Sequence, residues 1–154
     1  MFQDQKDLLV LFNKYGVKYL VIGGYAVGIH SEPRGTKDLD LFIKADQENS
    51  ERVFRALAEF GAPVAGMSPS DFNDSPTSIF QMGSPPSRID ILQGVEAIDF
   101  DEAWANRTED AVGGDIPAHF ISRADLIRNK LAVGRHQDLA DVEKLREAAE
   151  LDGE

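Results

Sequence analysis

The sequence predicts an α/β or α+β domain, on three observations. Segments whose apolar residues recur with period two interleave with segments of helical period along the whole chain. Glycine or proline closes several of these segments. The composition is that of a globular chain, 42% hydrophobic and 28% charged over 154 residues, enough for one sizeable core. One domain spanning residues 1–154 is expected, with a core to about residue 121 and C-terminal helices over about 122–150.

The first helix is expected from about Gln3 to Tyr15, with Gly16 in place for a left-handed cap. KYLVIGG reads as a buried strand running into a tight turn, and YAVGIH as a short helix that Pro33 stops. DLDLFI alternates strictly: Leu39, Leu41 and Ile43 face one way, Asp38, Asp40 and Phe42 the other. From Gln47 to Phe60 the spacing of Val53, Phe54, Leu57 and Ala58 predicts a helix, capped by Gly61. The Gly-, Pro- and Ser-rich stretch from Gly61 to Pro86 reads as a long loop carrying one short strand. SIFQM and RIDIL read as two strands, a hairpin across GSPPS. DFDEAWANR reads as a helix and IPAHFI as a last strand or extended stretch. Ser122 opens the C-terminal helical region through the capping spacing of SRAD. Ile127, Leu131, Leu139, Val142 and Leu145 are its expected apolar stripe, and Gly134 splits it.

Composition excludes several classes. With no cysteine there are no disulfides, thiolate metal sites or cysteine nucleophiles. No apolar run approaches the roughly 20 residues a membrane span needs, and no secretory leader is evident, so a cytoplasmic protein is expected. Sixteen basic against 27 acidic residues give a net charge of -11, which opposes bulk electrostatic binding of nucleic acid. Neither GxxxxGK[ST] nor GxGxxG is present.

The chemistry concentrates on carboxylates. A strand places Asp38 and Asp40 side by side, with the apolar face held to the core. Their repulsion grows as water is excluded, and a hard cation such as Mg²⁺ or Mn²⁺ between them relieves it. An isolated DxD is more often a solvated edge strand. Asp90 shifts that balance, because in RIDIL it shares a face with Arg88 and Leu92 while Ile89 and Ile91 take the other. Should that strand lie beside DLDLFI, three carboxylates converge as a two-metal phosphoryl-transfer site requires. Gly23 and Gly24, between a strand and a helix, would let a backbone approach a phosphate closely. Lys130 lies near the C-terminal apolar stripe and needs an anionic partner, either a nucleotide phosphate or a carboxylate such as Asp138.

The order of these parts is the specific signal. VIGGYAVGIHSEPRGTKDLDLFI resembles the signature of the polymerase-beta-like nucleotidyltransferase superfamily: an apolar residue, Gly-Gly, a short spacer, then acid, apolar, acid, apolar. His30, Arg34 and Thr36, with Lys130, Arg135, Asp138 and Asp141 near the end, resemble the bacterial toxin–antitoxin and abortive-infection type. The resemblance covers residues 1 to about 147. It implies the nucleotidyltransferase fold, a small mixed sheet flanked by helices with a C-terminal helical segment. It also implies transfer of an NMP from an NTP such as ATP to an acceptor hydroxyl, with release of pyrophosphate. Asp38, Asp40 and Asp90 would be the catalytic and metal-holding acids. Gly23, Gly24, Arg34, Thr36 and Lys130 would bind the nucleotide, the resemblance favouring phosphate as the partner of Lys130. The acceptor is open among tRNA, a protein and a small molecule, and an antitoxin is a possible protein partner. A catalytically inactive module of the same fold, binding a protein partner, is the alternative.

Overall fold

The computed structural model describes residues 1–33, 35, 38–84 and 86–153. Two expected nucleotide-binding residues, Arg34 and Thr36, lie outside the described residues.

Helix α1 (Gln3–Lys14) ends on Gly16, whose φ of 67° is the left-handed turn that glycine accepts without strain. Bonds from Val17 N–H to Phe12 O and from Gly16 N–H to Asn13 O close a Schellman cap. Strand β1 (Tyr19–Ile22) is buried throughout and feeds α2 (Gly23–His30) directly. The glycines are thus the first turn of that helix, not a separate turn ahead of it. Strand β2 (Leu39–Ile43) and helix α3 (Gln47–Phe60) follow; the Asp46 side chain caps α3 at its start and Gly61 at its end. A 3₁₀ turn over Pro69–Phe72 interrupts the segment that the sequence reading had as a long loop carrying one short strand. Buried Gln93 organises that segment. Its amide donates to Asp71 O at 2.7 Å, and its carbonyl accepts from the Asp74 and Ser75 N–H groups.

Strands β3 (Ile79–Met82) and β4 (Ile89–Leu92) pair antiparallel, as a hairpin should. Helix α4 (Phe100–Ala105) leads into β5 (Thr108–Val112), which pairs antiparallel with β6 (Ile116–Phe120). Strand β5 is not foreseen by the sequence reading: TEDAV carries two adjacent acids and lies at the sheet edge, where burial imposes no apolar alternation. Helices α5 (Arg123–Val133) and α6 (His136–Leu151) complete the chain, split at Gly134 in the left-handed conformation.

Among the described residues six strands form one mixed sheet in the order β3-β4-β2-β1-β6-β5, with β2–β4 and β1–β6 parallel and the other pairs antiparallel. This is the mixed α/β architecture with a C-terminal helical segment. The core gathers Leu8, Leu9 and Phe12 of α1, the β1 and β2 side chains, and Val53 and Leu57 of α3. The expected C-terminal stripe is corrected in part. Val142 and Leu145 are buried and Ile127 packs partly, but Leu131 and Leu139 are 45% and 46% exposed, and Leu126 takes the core position instead. The left-handed turn at Gly134 rotates α6 relative to α5, so one periodic stripe cannot run through both. No helix among the described residues is long and apolar enough to cross a membrane.

Candidate functional site

Strand pairing places the acids. In the β1–β2 ladder Ile22 faces Asp40, and in the parallel β2–β4 ladder Asp40 faces Asp90. Cross-strand partners share a face, so the Asp40 and Asp90 carboxylates are neighbours. Burial, and then the Asp90 and Asp38 charges, push the Asp40 carboxyl up to about 7. Asp38, just ahead of β2, is half exposed.

Gly23 follows Ile22 and so lies against Asp40. Its φ is 67°, and a Cβ at this position would collide with the Asp40 carboxylate. Glycine is needed here twice over, for the backbone conformation and for the space the acid occupies.

Arg88 shares the face of Asp90. Its Nη2 lies 3.4 Å from Asp38 Oδ2 and 3.3 Å from Asp90 Oδ2, and its Nε lies 3.3 Å from Asp90 Oδ1. Among the described residues, the Arg88 Nε and Asp90 Oδ1 atoms are buried without a hydrogen-bond partner. Also among the described residues, no group of three His, Cys, Asp or Glu side chains is arranged to hold a metal ion. The donor set nevertheless suits a hard divalent ion: carboxylate oxygens only, two of the acids in register, and one buried oxygen with no hydrogen bond. Asp38, Asp40 and Asp90 are the residues that could hold it.

An open cleft of ≈ 820 Å³ begins at this point. Gly23, Asp40 and Lys130 line it; Asp38, Asp90 and Gly24 do not contribute to its walls. Phe42, Leu92, Ile98 and Phe100 give it an apolar side, and Arg135 and Asp138 a charged one. The Phe100 ring meets Phe42 edge-on at 5.1 Å and stacks on Trp104 at 5.8 Å, and the Arg107 guanidinium covers Trp104 at 3.9 Å. Periodicity in the sequence does not reveal this aromatic wall, because α4 and β2 are far apart along the chain.

Lys130 is buried, one helical turn from Leu126. Its ammonium lies 3.1 Å from Asp138 Oδ1 and 3.0 Å from Asp141 Oδ2, joining α5 to α6. Asp138 and Asp141 are both buried. The Arg135 side chain hydrogen-bonds Asp138 and, with Lys130, holds that carboxyl down to about 2, against the cost of burial. Of the two partners open to Lys130, the structure supplies the carboxylates. His30 donates from Nε2 to Ile121 O at 2.7 Å, which fixes the end of α2, and burial lowers its pKa.

No curated protein matches the chain. Among solved structures it is similar to the lincosamide antibiotic adenylyltransferase LnuA with lincomycin bound, at 15% identity and TM-score 0.53, covering 96% of this chain and 98% of that one. It is similar to the antibiotic-resistance factor ANT(2'')-Ia, at 18% identity and TM-score 0.58, covering 96% and 82%. It is also similar to an antigenic nucleotidyltransferase-like protein from Paracoccidioides brasiliensis, at 15% identity and TM-score 0.52, covering 95% and 73%. At these identities the likeness is one of fold. Residues 2–154 match the family described as "Nucleotidyltransferase of unknown function (DUF6036)", and with the Gly23–Asp40–Asp90 arrangement in place, the chain belongs to that nucleotidyltransferase family.

Proposed function

We propose that the protein is a metal-dependent nucleotidyltransferase that moves an NMP from an NTP to a hydroxyl of its acceptor. The observation that carries the reading is the register of Asp40 against Asp90, with the Gly23 backbone pressed to the Asp40 carboxylate. Asp38, Asp40 and Asp90 would hold Mg²⁺ or Mn²⁺. A divalent ion bound there supplies charge to the triphosphate and acidifies the acceptor hydroxyl. Asp90 takes the acceptor proton. The hydroxyl oxygen bonds to the α-phosphorus, the bond from that phosphorus to the bridging oxygen breaks, and pyrophosphate leaves. Gly23 and Gly24 offer backbone to the β- and γ-phosphates. Lys130, and Arg34 and Thr36 ahead of the acids, are the proposed further phosphate contacts.

The acceptor is a tRNA, a protein or a small molecule. The toxin–antitoxin type of the superfamily is the subtype we favour, on His30, Arg34, Thr36 and the Lys130–Asp141 segment; the protein then acts in the cytoplasm beside an antitoxin. Incubation with each labelled NTP, Mg²⁺ and cell extract tests the reading. Label should pass to one acceptor fraction, with pyrophosphate released in equal amount. Release of inorganic phosphate instead, or no transfer by wild type and Asp40→Asn alike, would overturn it.

A further inference from the structure

Three carboxylates at the head of β2 and β4 share one described cation, and the strength with which each partner is held differs. Two of the acids are fixed: Asp40 and Asp90 are locked in the ladder, and the Asp90 side chain is 11% exposed. The Arg88 backbone is fixed too, its carbonyl accepting from Leu39 N–H at 2.9 Å and from the Gln5 amide at 3.2 Å. The guanidinium is not. Its side chain is 40% exposed, and its contacts with Asp38 and Asp90, at 3.3 to 3.4 Å, exceed the roughly 2.7–2.9 Å of strong charge-assisted bonds. The Nε proton is buried opposite a carboxylate oxygen and yet makes no hydrogen bond with it. A pair with good geometry would have aligned these two atoms. The cation is therefore loosely seated between the half-exposed Asp38 and an Asp90 that cannot follow it if it leaves.

We propose that Arg88 is an internal counter-cation that competes with the divalent ion for Asp38 and Asp90. In the metal-free protein the guanidinium screens the repulsion between the acids and keeps them assembled. When an ion arrives, the exposed side chain swings away while its backbone holds β4 in register. Arg88 thus sets the metal concentration at which the site loads. This rests on the metal-holding role proposed above for the three acids.

Mn²⁺ binding, read from the free-ion electron paramagnetic resonance signal without nucleotide, tests it on wild type, Arg88→Gln, Arg88→Lys and Asp40→Asn. Arg88→Gln should bind Mn²⁺ about fivefold more tightly than wild type, the factor expected for losing a partly exposed ion pair. It should melt below wild type in chelator and recover that difference in Mn²⁺. Arg88→Lys, which keeps the charge, should stay near wild type in affinity and serves if the glutamine variant fails to fold. Equal or weaker Mn²⁺ binding by folded Arg88→Gln, or an affinity of Arg88→Lys raised as far as that of the glutamine variant, would overturn the competition while leaving the metal site standing. If wild type binds no Mn²⁺ and matches Asp40→Asn, the metal reading itself falls and the competition with it.

Discussion

Asp40 carries the largest consequence of any single side chain. In the unfolded chain it ionises near the ordinary aspartate value, about 4, and in the folded protein at about 7. Between those values the folded state binds the extra proton, so metal-free stability falls as pH rises through that window and stays lower above it. The contribution is on the order of a few kcal/mol. Asp40→Asn should therefore melt above wild type at pH 8 in chelator and close to it at pH 4. It should also gain nothing from Mg²⁺ plus NTP, where wild type is stabilised. A variant that melts well below wild type at pH 8 would make Asp40 a structural residue. Gly23→Ala forces both a left-handed alanine and a collision with Asp40; urea unfolding should show a loss of about 1–3 kcal/mol. The alternation in DLDLFI and RIDIL made the facing of Asp40 and Asp90 within their strands legible from the sequence, because period two belongs to the strand itself. The contacts of Arg88 were not legible, because the acids it touches depend on which strand lies alongside.

At the scale of elements, the α5–α6 junction rests on Lys130 between Asp138 and Asp141. Removing the cation takes the shared ammonium from two buried carboxylates, at a cost of up to about 3–5 kcal/mol, while Arg135 still holds Asp138 and Gln137 still donates to Asp141. Lys130→Met should thus lower the melting temperature, and adding Asp141→Asn should recover part of the loss. NTP titration of the same variant separates the two roles. An affinity loss of about 1–3 kcal/mol assigns the ammonium to phosphate as well, and equal affinity reserves it for the ion pair. Gln93→Ala should loosen the 61–78 segment, raising its amide exchange while α1 and α3 stay protected. The sequence located α1, α3 and the α5–α6 pair by their caps, since Gly16, Gly61, Ser122 and Gly134 act through local geometry, whereas the Asp46 cap of α3 went unread. It missed β5 and the exposure of Leu131 and Leu139, which follow from what each element packs on and not from its own spacing.

For the whole molecule the governing quantity is charge. A net charge of -11 repels a polyphosphate chain at long range, and only local cations reverse this. Bulk tRNA should accordingly show little retention in filter binding at physiological salt. Lowering the salt should not tighten it along the steep slope of a phosphate-tracking protein. A steep slope would reveal a basic surface that the composition conceals. The interleaved strands and helices made the fold class legible because every segment must bury one face. The strand order was not, since pairing between β2 and β4 is chosen by contacts more than 45 residues apart in the chain.

The aromatic stack beside the cleft has an optical use. Trp104 is the sole tryptophan, so the long-wavelength emission of the protein comes from one ring. That ring stacks on Phe100, whose opposite neighbour Phe42 also lines the cleft, and Arg107 lies over it as a charge able to shift its excited state. A molecule seated against Phe42 and Phe100 would disturb the stack and alter the colour or yield of that emission. The protein thus carries its own unlabelled reporter of cleft occupancy, with which candidate acceptors can be screened in solution before any turnover is sought.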